Sequence, residues 1–91
     1  MINTCIQENI IEEAASLYGT PLLCFEQKEI EKNYWALRKS LPQNVSIAYS
    51  VKSSPNPYLI QYYMNNGVFF EVASEGELVY LLSLGVSPSK I

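Results

Sequence analysis

A lysine ends a run in which Val45, Ile47, Tyr49 and Val51 alternate with Ser46, Ala48, Ser50 and Lys52. A period of two predicts a strand with one bulky and one small face, and it puts Lys52 on the small face with Ser50. An ammonium at the end of a buried row is costly to desolvate unless it is paired or gives up its proton. A lysine in that setting is a nucleophilic amine able to form a Schiff base with a carbonyl compound. The plainer reading is that the strand is over by residue 52 and the ammonium reaches water. Glu71 raises a related question, because it interrupts the apolar run Val68, Phe69, Phe70, Val72, Ala73, where an unpaired carboxylate is unfavourable. Either an adjacent parallel strand sets it near Lys52 or a positively polarised bound group, or it lies on an edge strand with one wet face. Glu77 has a structural role available: Ser74, Glu75, Gly76 and Glu77 fit a capping box in which the Glu77 carboxylate accepts from the Ser74 backbone N–H.

The composition narrows what these residues can be part of. All nine acidic side chains are glutamate and histidine is absent, so no Ser-His-Asp triad, paired-Asp machinery or His-bearing metal site can be assembled within the chain. Chemistry here must run on Lys, Glu, Tyr, Ser, Cys or a cofactor. A net charge of -3 with six basic residues argues against nucleic acid or an anionic membrane as partner. Tyr49, Tyr58, Tyr62, Tyr63 and Trp35 read as core or interface aromatics, since no basic residues interleave with them. Gly19, Gly67, Gly76 and Gly85 have no phosphate-cradling spacing. Cys5 and Cys24 are too few and unpatterned for a disulfide scaffold or zinc site; they read as buried small hydrophobes in a reducing, cytoplasmic compartment. The amino terminus lacks the basic region and apolar run of a signal peptide, and no apolar run approaches the roughly 18 residues of a membrane span.

The elements that must position Lys52, Glu71 and Glu77 follow from periodicity and punctuation. With 91 residues, 48% hydrophobic and 16% charged, the chain is no disordered tail and can hold a modest core. A helix is predicted over 7–18, on the stripe Ile10, Ile11, Ala14, Leu17, Tyr18, and Gly19 and Pro21 stop it. A short strand is predicted over 22–25, then a helix on Ile30, Tyr34, Leu37 and Leu41 that Pro42 ends. After the strand at 45–52, Asn56 caps and Pro57 opens a helix carrying Leu59, Ile60, Tyr63 and Met64 and closed by Gly67. A second strand over 68–73 leads to a helix capped by Ser74, bearing Leu78, Leu81 and Leu82 and ended by Gly85. The order β, α, β, α with short links implies an α/β fold with parallel strands. The expected organisation is a helical segment with a short strand over 1–44 and two βα units over 45–91. Two parallel strands cannot bury their own faces, so the chain reads as the leading portion of a larger fold.

At Tyr49, Ser50, Val51, Lys52, Ser53, Ser54, Pro55, Asn56, Pro57 and again at Phe70, Glu71, Val72, Ala73, Ser74, Glu75, Gly76, Glu77, Leu78, the chain resembles the amino-terminal part of the fold-type III pyridoxal-phosphate decarboxylases, the diaminopimelate, ornithine and arginine decarboxylase group. The stretches 18–23 and 84–91 are similar to the same family, and the resemblance runs from about residue 11 to residue 91. It implies the first two units of a (β/α)8 TIM-type barrel preceded by amino-terminal helices, with the family's carboxyl-terminal β-domain absent. It implies pyridoxal 5'-phosphate as cofactor, Lys52 as the catalytic Schiff-base lysine, and Lys52, Ser50, Glu71 and Glu77 as cofactor-binding residues, with no metal. The implied reaction is decarboxylation of an amino acid, whether diaminopimelate, ornithine, lysine, arginine or a specialised or carrier-bound one. A full-length homodimer is implied, with no nucleic-acid or membrane partner. Glu71 stands where the family usually has Asp, and Ser53 and Ser54 replace Ala or Cys followed by Asn, so a serine hydroxyl must organise the turn or the turn must change. The same lysine-on-first-strand plan occurs in alanine racemase and in small pyridoxal-phosphate homeostasis proteins. A truncated, non-catalytic fragment is the remaining alternative, because the chain has no glycine-rich phosphate loop and no acidic partner for a pyridine nitrogen.

Overall fold

Caps and glycine stops turn this sequence into short elements with sharp ends. The computed structural model describes residues 8–91, and the chain divides into two units at the Leu41–Pro42 boundary. In the first, α1 spans Glu8–Tyr18 and α2 spans Gln27–Ser40. α1 buries none of its residues fully, and Leu17 and Tyr18 of its apolar stripe are 68% and 77% exposed. α2 opens on Glu26, whose carboxylate accepts from the Lys28 N–H at 3.4 Å, as a cap satisfies an orphan donor of the first turn. Tyr34 is its buried residue, with its ring edge-on to Trp35 at 5.0 Å between centroids, whereas Leu37, expected on the same stripe, is 49% exposed.

Two expectations for this unit need correction. Residues 22–25 are irregular and not a strand. Apolar character makes a segment eligible for a sheet, but a strand exists only where a neighbour takes its backbone hydrogen bonds, and none of the described residues does so here. Cys24 is a free, half-buried thiol and so is less enclosed than expected, and Cys5 lies outside the described residues.

The second unit holds β1 (Ala48–Ser50), a 3-10 turn (Val51–Ser53), α3 (Pro57–Asn65), β2 (Phe69–Glu71), α4 (Glu75–Ser83) and a closing 3-10 turn (Pro88–Lys90). The strands are parallel, with Ala48 opposite Phe69, Tyr49 opposite Phe70 and Ser50 opposite Glu71. Alternation then decides what each face holds. Tyr49 and Phe70 turn toward the helices, joining a core of Val51, Ile60, Phe70, Leu81 and Val86, while Ser50 and Glu71 share the other face. Ile60 of α3 and Leu81 of α4 are fully enclosed, each contributing roughly 1.5–3 kcal/mol of transfer free energy.

The two helices leave the core in the same way. The Val68 N–H donates to Tyr63 O and the Gly67 N–H to Met64 O at the end of α3; Val86 to Leu81 O and Gly85 to Leu82 O repeat the pattern after α4. These are complete Schellman closures, and each needs a residue in the left-handed region. Gly67 and Gly85 supply it, at φ 73° and 92°. The valine that follows each glycine is buried, at 3% exposure in both cases. A helix end, a glycine and an inward valine thus form a repeated exit, the first of which feeds β2.

Candidate active site

β1 is shorter than its sequence period. The alternation of bulky and small residues continues to Lys52, but the strand stops at Ser50 and the chain turns into a 3-10 turn over Val51–Ser53. The expectation that strand parity places Lys52 on the Ser50 face is therefore corrected: the last strand residue that parity governs is Ser50. In a 3-10 turn successive side chains lie about 120° apart, so Val51 drops into the core at 1% exposure while Lys52 is exposed. The reason lies in the hydrogen bonds available. The ladder with β2 ends at the Ser50–Glu71 pair, and beyond it the backbone bonds locally.

Side chains hold this turn. The Ser53 hydroxyl donates to Ser50 O at 2.5 Å, the Tyr49 hydroxyl donates to Ser54 O at 2.9 Å, and the Tyr80 hydroxyl of α4 donates to Pro55 O. Ser53 thus does the organising for which the resemblance usually has another residue pair. Tyr49 is itself fixed by aromatic packing, with centroids 4.6 Å from Tyr63 and 6.4 Å from Phe70, the latter edge-on. Burial, and then the neighbouring phenols Tyr49 and Tyr62, hold the Tyr63 hydroxyl above the ordinary tyrosine range. The turn ends at Asn56, whose side-chain oxygen accepts from the Tyr58 N–H at 2.9 Å, with Pro57 in the first turn of α3 as the sequence predicts.

Glu71 meets Ser50. Its Oε2 accepts from the Ser50 hydroxyl at 2.7 Å across the parallel pair, on the face away from the core, and the carboxylate is exposed. The apolar run therefore contains a wet face, and the serine is the hydrogen-bonding neighbour that an isolated carboxylate there would lack. Glu77 is bound to its own helix start. Ser74 Oγ accepts from the Glu77 N–H at 3.1 Å, and Glu77 Oε1 accepts from the Ala73 N–H at 2.7 Å. The box closes on the N–H one residue before the one expected, Ala73 in place of Ser74, because the carboxylate reaches past the cap to the turn that leaves β2. One carboxylate oxygen, Oε2, stays available for a second role.

An open cleft of about 530 Å³ lies between the β1 turn and the start of α4, lined by Val51, Lys52, Pro55, Gly76, Glu77 and Tyr80. Of the four residues singled out from the sequence, the structure puts Lys52 and Glu77 on this cleft and joins Ser50 to Glu71 beside it at the strand ends. Tyr80 carries no sequence motif of its own. It stands three residues after Glu77, so helical spacing puts it on the same face of α4, and that spacing was the signal available.

These features define an α/β chain in which Ser50, Lys52, Glu71 and Glu77 lie at or just beyond the ends of two parallel strands. By sequence the chain belongs to the family described as pyridoxal-dependent decarboxylase, pyridoxal binding domain, whose model it matches over residues 27–91. It is 32% identical over its whole length to a lysine/ornithine decarboxylase of Selenomonas ruminantium, covering 23% of that protein. It is 28% identical over 86 residues, 94% of this chain and 22% of the relative, to a diaminopimelate decarboxylase of Deinococcus radiodurans. It is 39% identical over 54 residues, 59% of this chain and 12% of the relative, to a chloroplastic ornithine decarboxylase of Nicotiana glutinosa. The chain thus spans less than a quarter of the length of these curated relatives. No solved structure matches it. Among the described residues, no helix is long and apolar enough to cross a membrane.

Proposed function

We propose that this chain is the lysine-bearing leading part of a cytoplasmic, homodimeric amino-acid decarboxylase that uses pyridoxal 5'-phosphate, and that its two βα units over 45–91 open a (β/α)8 barrel, with the helical segment over 1–44 preceding it. The observation that carries the reading is the exposed Lys52 amine on the cleft at the end of β1, facing a space to which the helix after β2 contributes Glu77. Active sites of α/β barrels lie at the carboxyl ends of their strands. The residues present suit the cofactor: an accessible primary amine can bond to its aldehyde, and a cleft of about 530 Å³ is in the range of small-molecule sites.

Lys52 is the covalent holder in this reading, and its Nζ must be unprotonated to act as nucleophile. Glu77, with Oε1 held by the Ala73 N–H, keeps Oε2 for the Lys52 ammonium or for a proton in transit. Glu71 is steadied by the Ser50 hydroxyl and presents its charge from the strand ends, one methylene longer than the family's usual Asp. When bound, the cofactor supplies the electron sink that makes loss of CO2 from an amino acid accessible. The names of the relatives favour substrates with a second amino group, namely diaminopimelate, ornithine or lysine.

The test is covalent labelling. Pyridoxal phosphate followed by borohydride should mark Lys52 in the full-length protein, detected by peptide mass mapping. Lys52→Ala should abolish the label while Lys39→Ala leaves it intact. Equal labelling of all surface lysines would refute the assignment.

A further inference from the structure

Two hydrogen bonds between residues far apart in sequence bracket the segment that carries Lys52. Before it, Ser50 Oγ donates to Glu71 across 21 residues; after it, the Tyr80 hydroxyl donates to Pro55 O across 25. The first ties the turn to β2 and the second ties it to α4. Between them, among the described residues, the Ser53 hydroxyl bonds Ser50 O and the Tyr49 hydroxyl bonds Ser54 O, both local, while Val51 packs into the core before Lys52. Tyr80 lines the cleft with Lys52 and Glu77, and its half-buried ring packs against the core cluster. Its ring is therefore anchored by packing, and its hydroxyl is the part that reaches the turn.

We infer that Tyr80 is a positioning residue: its hydroxyl, bonded to the Pro55 carbonyl, fixes the Lys52 turn against α4 and so sets how Lys52 and Glu77 face each other across the cleft. Proline at 55 adds to the effect, because its ring restricts the backbone at the point of attachment. Pro55 also keeps its carbonyl free of any helix, since α3 begins two residues later. A hydroxyl is required for this; an apolar side chain at position 80 would fill the core equally well but leave the carbonyl to water. The inference rests on Lys52 being the lysine that holds the cofactor.

Tyr80→Phe in the full chain tests it, since the ring and its packing are retained. In the cofactor-free protein, amide exchange over residues 51–56 should quicken by roughly fivefold, the scale set by one neutral hydrogen bond, while amides of α3 stay as in the wild type. Labelling of Lys52 by pyridoxal phosphate and borohydride should slow by a similar factor at unchanged final stoichiometry, and kcat should fall more than KM rises. A role limited to stability would lower the melting temperature without this local and kinetic signature. Ser83→Ala, which removes a hydroxyl bonded to Tyr80 O within the same helix, serves as control and should leave labelling unchanged. Wild-type exchange and labelling in Tyr80→Phe would overturn the inference, as would a slowing in Ser83→Ala equal to that in Tyr80→Phe. Should Tyr80→Phe fail to fold, the wild-type chain decides: exchange over residues 51–56 as fast as in an unstructured peptide would overturn the inference. Loss of the label in Lys52→Ala with wild-type behaviour in Tyr80→Phe would reject the role of Tyr80 alone, whereas a label that persists in Lys52→Ala would reject the reading of Lys52 beneath it.

Discussion

The two links that carry the chain from a strand into a helix do the same job by different means. The first, residues 51–56, is long: a 3-10 turn, three serine or tyrosine hydroxyls on backbone carbonyls, and an Asn56 cap. The second, residues 72–74, is short and closes on itself, with Ser74 and Glu77 exchanging bonds with the backbone. The second spends its side chains on its own donors. In the first, restraint comes from side chains outside the turn as well as within it, and Lys52 is left exposed with no structural duty in the cap. Extra length and external restraint are what allow a link to leave a lysine exposed while the turn around it stays held.

Substitutions can break that contrast, and the widest effect comes from the floor the links share. Leu81→Ala should destabilise the second unit by about 2–5 kcal/mol in denaturant unfolding, since Leu81 is fully enclosed, and should loosen both links together. Its neighbour Leu82, 43% exposed, should change stability by less than about 0.5 kcal/mol when replaced by Ala. Glycine at the helix exits comes next. Gly85→Ala forces a side chain into the left-handed region at φ 92° and should cost about 1–2 kcal/mol, although an added Cβ would meet nothing within 4 Å, which separates backbone preference from packing. Ser74→Ala should cost about 1 kcal/mol and raise exchange at residues 72–77 while leaving 51–56 untouched; equal loosening of both links would end the distinction between them. Ser53→Ala should produce the mirror-image pattern at about 0.5–1 kcal/mol, with exchange raised at 51–56 alone.

The smallest effect concerns pH. Because Tyr63 is held above its ordinary value of 10.0, the folded state keeps that proton more tightly than the unfolded chain does. Its contribution is fully present below the unfolded value and is lost as the pH rises through the folded one. Thermal melts should therefore show a decline above about pH 10 that is reduced in Tyr63→Phe.

Much of this was legible in the residues, and the failures have particular causes. Asn56 with Pro57, and Ser74 with Glu77, announced helix starts because a cap is a contact between near neighbours in sequence. Gly67 and Gly85 announced helix ends for the same reason. The run 22–25 looked like a strand because hydrophobicity does not reveal whether a pairing partner exists. A period of two predicts Lys52 on the Ser50 face, but parity ends with the last ladder pair, Ser50 with Glu71. Glu77 takes the Ala73 N–H and not that of Ser74 because a flexible carboxylate chooses between adjacent donors by geometry alone.

By itself, then, the sequence determined the α/β order, the caps and stops, the family, and the side chains worth watching, since each is encoded by local propensity, by short-range spacing or by similarity along the chain. Tertiary structure alone decided that Ser50 would meet Glu71, that Lys52 and Glu77 would share a cleft, and that Tyr80 would hold Pro55. Those pairings join residues more than twenty positions apart, and they exist only after parallel pairing and burial of the common core have closed the loops between them.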